Sequence, residues 1–143
     1  MNQTIMALDV GNVRTGVAVA SIQARLPHPF TTLPTSSLKE DVMTLINNEG
    51  IVALVVGLPR NLEGEETAQT RFAIDTAERL KEGIDIPVFF QDEALTSKQA
   101  ESELESRGVS YTKADIDALA ATLILDDFLQ GPECRKFLEE LHV

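Results

Sequence analysis

The chain has 143 residues, 43% hydrophobic and 24% charged, with 12 basic against 23 acidic side chains and a net charge of −11. This length suits one domain over residues 1–143, and no apolar stretch approaches the roughly 20 residues of a bilayer span, which excludes a membrane-spanning helix. The acidic balance excludes the broad basic stripe with which nucleic-acid binders displace counterions, and the lone Cys134 excludes an intrachain disulfide and a thiolate metal cluster.

The opening Met1-Asn2-Gln3-Thr4 lacks the basic region of a secretory signal, so a cytoplasmic protein with no membrane partner is expected. Thr4 to Val10 and Thr15 to Ser21 are short apolar runs joined by turn residues, the pattern of an antiparallel hairpin. Asp9 closes the first run, ahead of Gly11-Asn12-Val13-Arg14-Thr15-Gly16. Because Asp is depleted in strands, it reads either as a carboxylate for metal-assisted phosphoryl chemistry or as a plain turn residue. His28 to Thr35, punctuated by Pro29 and Pro34, fits only an edge strand.

Ser37-Leu38-Lys39-Glu40 has capping-box spacing and opens a helix with Leu38, Val42, Leu45 and Ile46 on one face, ending near Asn48 and Gly50. Ile51 to Val56 reads as a strand covered on both faces, Gly57 to Gly64 as a loop, and Glu65 to Lys81 as a helix with Phe72, Ala73, Ala77 and Leu80 inward. Ile86 to Phe90 is a further buried strand. Thr96-Ser97-Lys98-Gln99 is a second capping box, Lys113 to Gln130 the most apolar helix, and Glu133 to Leu141 a short capping helix. The order β-β-β-α-β-α-β-α-α predicts an α/β fold: a mixed five-stranded sheet, its first three strands antiparallel, with helices on both faces. The first strand is then central, and ligands belong at the carboxyl ends of the strands beside the switch point.

That topology gathers carboxylates. Asp9 ends the central strand, and Asp92-Glu93 follows Phe89-Phe90 at the same end of the sheet; a shift of one residue exchanges which of these two acids faces Asp9. Asp117 lines up with Ala121, Ile124 and Phe128 on an apolar helical stripe, where a carboxylate must find a partner or become neutral. Asp115, by contrast, stands three residues after Thr112 and completes a helix cap, while Asp126 and Asp127 read as solvated acids. Asp9, Glu93 and Asp117 together would make an all-oxygen site for Mg²⁺ or Mn²⁺, of the kind that holds two ions about 4 Å apart for in-line phosphodiester hydrolysis. His28 and His142 have no triad partners, and no Ser or Cys sits in a nucleophile motif.

Four segments resemble the YqgF/RuvX family of pre-16S rRNA nucleases and Holliday-junction resolvase-like proteins, which have an RNase H-like fold. They are Leu8-Asp9-Val10-Gly11 through Ala18, Val55 to Gly64, Asp92-Glu93-Ala94-Leu95-Thr96-Ser97, and Asp117-Ala118-Leu119-Ala120-Ala121 through Leu125. The resemblance covers roughly residues 4 to 130. It implies that the family's catalytic and metal-binding acidic triad falls on Asp9, Glu93 and Asp117, and that Arg14, Gly57, Arg60 and Asn61 face the substrate. The chain departs from the family pattern at Val13 and Ala94, where Lys and Arg are usual, and keeps Arg14.

The function expected from this is a metal-dependent endonuclease that trims the 5′ end of precursor 16S rRNA in ribosome biogenesis. A resolvase of branched DNA is the alternative on the same site and requires a symmetric dimer; monomer and homodimer are both compatible with the sequence. A non-catalytic RNA-binding module would account for Val13, Ala94 and the acidic surface. An actin-like ATP-binding domain shares the Asp-x-Gly turn but needs two such domains.

Overall fold

In the computed structural model, residues 3–94 and 112–142 are described, with Ser102, Glu105, Ser106 and Gly108 between them. Strand β1 (Thr4–Val10) pairs antiparallel with β2 (Arg14–Ser21), and β3 (His28–Pro34) runs antiparallel along the outer edge of β2. On the other side of β1, β4 (Ile51–Arg60) is parallel, and β5 (Val88–Ala94) is parallel to β4, so the order is β3-β2-β1-β4-β5 with β1 central. The proline-rich strand takes an edge because prolines cannot donate to a second ladder.

Alternation along the strands divides two cores. Ile5 and Ala7 of β1, Ala18 and Ala20 of β2, and Ala53 and Val55 of β4 pack beneath Ile124, Leu125 and Phe128 of α3 (Lys113–Gln130) and Phe137 of α4 (Pro132–Glu140). Met6, Leu8, Val17, Val19, Leu54 and Val56 face the opposite way, against Val42 of α1 (Leu38–Glu49) and Ala73, Ala77 and Leu80 of α2 (Ala68–Lys81). Phe89 of β5 joins the first core, its ring 5.1 Å from Phe128 and 5.4 Å from Phe137. No helix of the described residues is long and apolar enough to cross a membrane.

Four expectations are corrected. First, Gly57 to Arg60 is not loop but the end of β4, paired with Gln91 to Ala94. The ladder between β1 and β4 stops at Leu8 and Val56, so from Gly57 to Pro59 the only strand beside β4 among the described residues is β5, and Pro59 is tolerated as on an edge. Second, β5 starts at Val88 and runs through Asp92 and Glu93, placing both acids inside a strand. Third, α2 begins at Ala68, because Thr67 caps it: its side chain accepts from the Thr70 amide while the Thr70 hydroxyl takes the Thr67 amide. Fourth, Ser37 forms no capping box with Glu40; it ends a 3-10 turn over Thr35–Ser37 and donates instead to Asp41, 2.8 Å away. The capping box expected at Thr96 lies outside the described residues.

The cap at Thr112 is formed, with the Thr112 amide donating to Asp115 Oδ2 at 2.9 Å and the Asp115 amide to Thr112 Oγ1 at 3.2 Å. Thr112→Ala is expected to cost about 1 kcal/mol, seen as a thermal midpoint lowered by roughly 2–5 °C. An unchanged midpoint would remove the cap from the account of where α3 starts.

Candidate active site

Asp9 lies opposite Gly16 across the hairpin and shares the pleat side of Ile5 and Ala7, so it faces α3. Gly16 lets that helix come down onto the sheet. A Cβ there would stand 2.9 Å from the Ala118 nitrogen and closer still to the carbonyl carbon and oxygen of Asp117. The first turns of α3 therefore rest directly on the β2 backbone, and the Asp117 carboxylate is delivered beside Asp9. Thr32 steadies the same turn from β3, its hydroxyl donating to the Ala114 carbonyl at 2.9 Å.

Arg14, two residues before Gly16 and on the same face, donates from Nε to Asp117 Oδ2 at 2.9 Å. This is the partner that a carboxylate on the apolar stripe of α3 needs. The turn carrying Asp9 and Arg14 is tied down by backbone and hydroxyl bonds. The Gly11 amide donates to the Arg14 carbonyl at 3.0 Å, and the Thr35 hydroxyl to the Gly11 carbonyl at 2.7 Å. The buried Thr15 hydroxyl lies 2.9 Å from Thr35 Oγ1, and Gln69 Nε2 of α2 reaches the Val10 carbonyl at 3.2 Å.

Burial pushes the Asp9 carboxyl up to about 7 from its ordinary 3.8, and the neighbouring Asp117 charge adds to the rise. Glu93 has the pleat parity of Phe89 and so lies on the α3 face with Asp9 and Asp117, beyond β4 from Asp9. Asp92 has the opposite parity. It is exposed and accepts from Arg60 Nε at 3.0 Å on the far side of the sheet. The structure thus brings Asp9, Arg14 and Asp117 into electrostatic contact, sets Glu93 on their face, and separates Arg60 from them.

Gly57 is buried in β4 rather than displayed in a loop, and a Cβ on it would overlap Ile124 Cδ1, so it serves the packing of α3 against the sheet. Asn61 organises the bend after β4: its Oδ1 accepts from the amides of Glu63 and Glu65 at 3.1 and 2.8 Å. Sequence reasoning missed the role of Gly16. The signal was available, since a glycine cross-strand from Asp9 on the pleat side of Ala18 leaves space for a helix.

Among the described residues, no three His, Cys, Asp or Glu side chains stand close enough together to hold an ion as arranged. The donor set on this face is nonetheless carboxylate oxygen, and a desolvated Asp9 beside Asp117 is a charge arrangement that a hard divalent cation would relieve.

The RuvX family, described as Holliday junction resolvase, matches residues 3–131 of the chain. A protein of Roseiflexus sp. strain RS-1 named "Putative pre-16S rRNA nuclease" is 39% identical over 132 residues, which cover 89% of this chain and 94% of that one. A protein of the same name from Thiobacillus denitrificans is 41% identical over 133 residues, covering 90% and 92%. The structure of Thermus thermophilus RuvC in complex with a Holliday junction substrate superposes with a TM-score of 0.54 at 16% identity, over 85% of this chain and 91% of that one. This last likeness is one of fold, the RNase H-like sheet with helices on both faces. The match takes in all five strands, Asp9, Glu93 and Asp117, and the chain belongs to the RuvX family.

Proposed function

We propose that the chain is a phosphodiester hydrolase, a divalent-metal-dependent endonuclease that trims the 5′ end of precursor 16S rRNA, working as a single domain in the cytoplasm. The observation that carries this reading is the juxtaposition of Asp9 and Asp117 at the carboxyl end of the central strand, with Glu93 on the same face. The names of relatives 39% and 41% identical supply the substrate class. Asp9, Glu93 and Asp117 would hold Mg²⁺ or Mn²⁺. When bound, the cation makes water more acidic and offsets phosphate charge, which a chain of net charge −11 otherwise repels. Asp9 and Asp117 supply the negative field that recruits it, and the Gly16 contact keeps their spacing.

The test is cleavage of a 5′-extended 16S precursor fragment with Mn²⁺, wild type beside Asp117→Asn. Cleavage that falls by at least about 10²-fold in the variant supports the reading, on the scale of losing one preorganised electrostatic group. Mutant-insensitive cleavage, or none from folded protein, overturns it. A four-way DNA junction belongs in the same experiment, because the family description names that substrate. Junction cleavage without RNA cleavage would move the assignment to a resolvase, which needs two chains to present two sites.

A further inference from the structure

We propose that Arg14 is a positioning residue that couples metal loading to substrate binding, by occupying Asp117 until a phosphodiester takes its guanidinium; the inference rests on the nuclease reading above. The Arg14 side chain approaches Asp117 through Nε, at 2.9 Å from Oδ2. Arg14 comes from the start of β2 and Asp117 from α3, so the contact spans the mouth of the site and is not a neighbour pair on one helix. Both side chains are partly open to solvent, 39% and 21% exposed, and ion pairs with such access to water are worth little, about 1 kcal/mol or less. It is therefore a breakable contact. The turn beneath it is not, being held by Thr35, Thr15 and Gln69, so the guanidinium exchanges partners while its Cα stays in place.

Two consequences follow from charge. A guanidinium on Asp117 uses one carboxylate lone pair and puts a positive charge where a divalent cation would sit, so it weakens binding of that cation. A phosphodiester offers the same guanidinium two anionic non-bridging oxygens that its N–H fork can engage together. Once Arg14 turns to phosphate, Asp117 is released to the metal, and by linkage the metal strengthens substrate binding by the same factor. In a chain of net charge −11, Arg14 is the cation that the β1–β2 hairpin presents on this face.

The experiment is Mn²⁺ titration of the full chain by calorimetry, with and without a short 2′-O-methyl single-stranded RNA, for wild type, Arg14→Gln, Arg14→Lys and Asp117→Asn. Without RNA, Arg14→Gln should bind Mn²⁺ about 5-fold more tightly than wild type, at the lower end of typical coupling between sites. Adding RNA should tighten Mn²⁺ binding by wild type several-fold more than by Arg14→Gln, which keeps only the direct attraction between cation and phosphate. Arg14→Lys, which keeps the charge, should retain part of the coupling. A merely structural arginine would give equal or weaker Mn²⁺ binding when removed, and that result overturns the proposal. Mn²⁺ binding that is lost in Asp117→Asn yet indifferent to Arg14 overturns the coupling and keeps the metal site. Absence of Mn²⁺ binding in wild type under both conditions overturns the nuclease reading itself.

Discussion

Asp9→Asn should abolish cleavage, with kcat reduced by at least about 10²-fold, and at the same time make the protein more stable above neutral pH. The two effects have one cause. Asp9 stands one residue from the end of β1, desolvated on the face that α3 covers, and the Asp117 carboxylate lies beside it, so ionisation is costly in the folded state. With a folded pKa of about 7 against 3.8 for the free side chain, the native protein holds a proton that the unfolded chain has released. Its contribution to stability is present in full below pH 3.8, falls as pH rises, and is gone above about 7. A rise of that size corresponds to about 4 kcal/mol. Asparagine keeps the shape without the charge and has no such slope. Thermal melts of wild type and variant at pH 5 and pH 8 check this: the variant's advantage should widen at pH 8. Mn²⁺ at pH 8 should raise the wild-type midpoint and leave that of Asp9→Asn unmoved. An advantage that does not grow with pH would refute the buried-charge account.

Gly16→Ala is expected to be the most damaging of the glycine substitutions, costing roughly 3 kcal/mol or more and displacing Asp117 from Asp9. The atoms that a methyl group would meet are the carbonyl of Asp117 and the nitrogen of Ala118, all backbone, so no rotamer change makes room. The helix must lift, and with it Ala121, Ile124, Leu125 and Phe128 lose contact with the sheet. Gly57→Ala should cost less, because its obstacle is the side chain of Ile124. Gly64→Ala should cost about 1 kcal/mol and leave activity intact, since its surroundings are open and only its φ of +80° disfavours a side chain. Urea unfolding of the three variants with cleavage assays alongside would test the order Gly16, Gly57, Gly64. A Gly16→Ala protein of wild-type stability would show that α3 does not rest on β2 as described.

What sequence alone determined rested on local periodicity and turn chemistry. The hairpin, the proline-marked edge strand, the central position of the Asp9 strand and the Thr112 cap follow from apolar alternation, missing donors and side-chain bonds three residues apart. Asp117 could be singled out because a carboxylate on the stripe of Ile124 and Phe128 demands a partner, whichever element supplies it. Ser37 shows the limit of that logic: the spacing to Glu40 fits a cap, but the 3-10 turn before it redirects the hydroxyl to Asp41. Tertiary structure alone decided the rest. Whether Asp92 or Glu93 shares the face of Asp9 depends on the parity that β5 inherits from pairing with β4, over residues that composition reads as loop. The identity of Asp117's partner depends on how closely α3 approaches β2, which is set by the missing side chain at Gly16. Both are non-local: a pleat assigns a residue's side only once its neighbour strand is in place, and a helix chooses its ion pair only once it has docked.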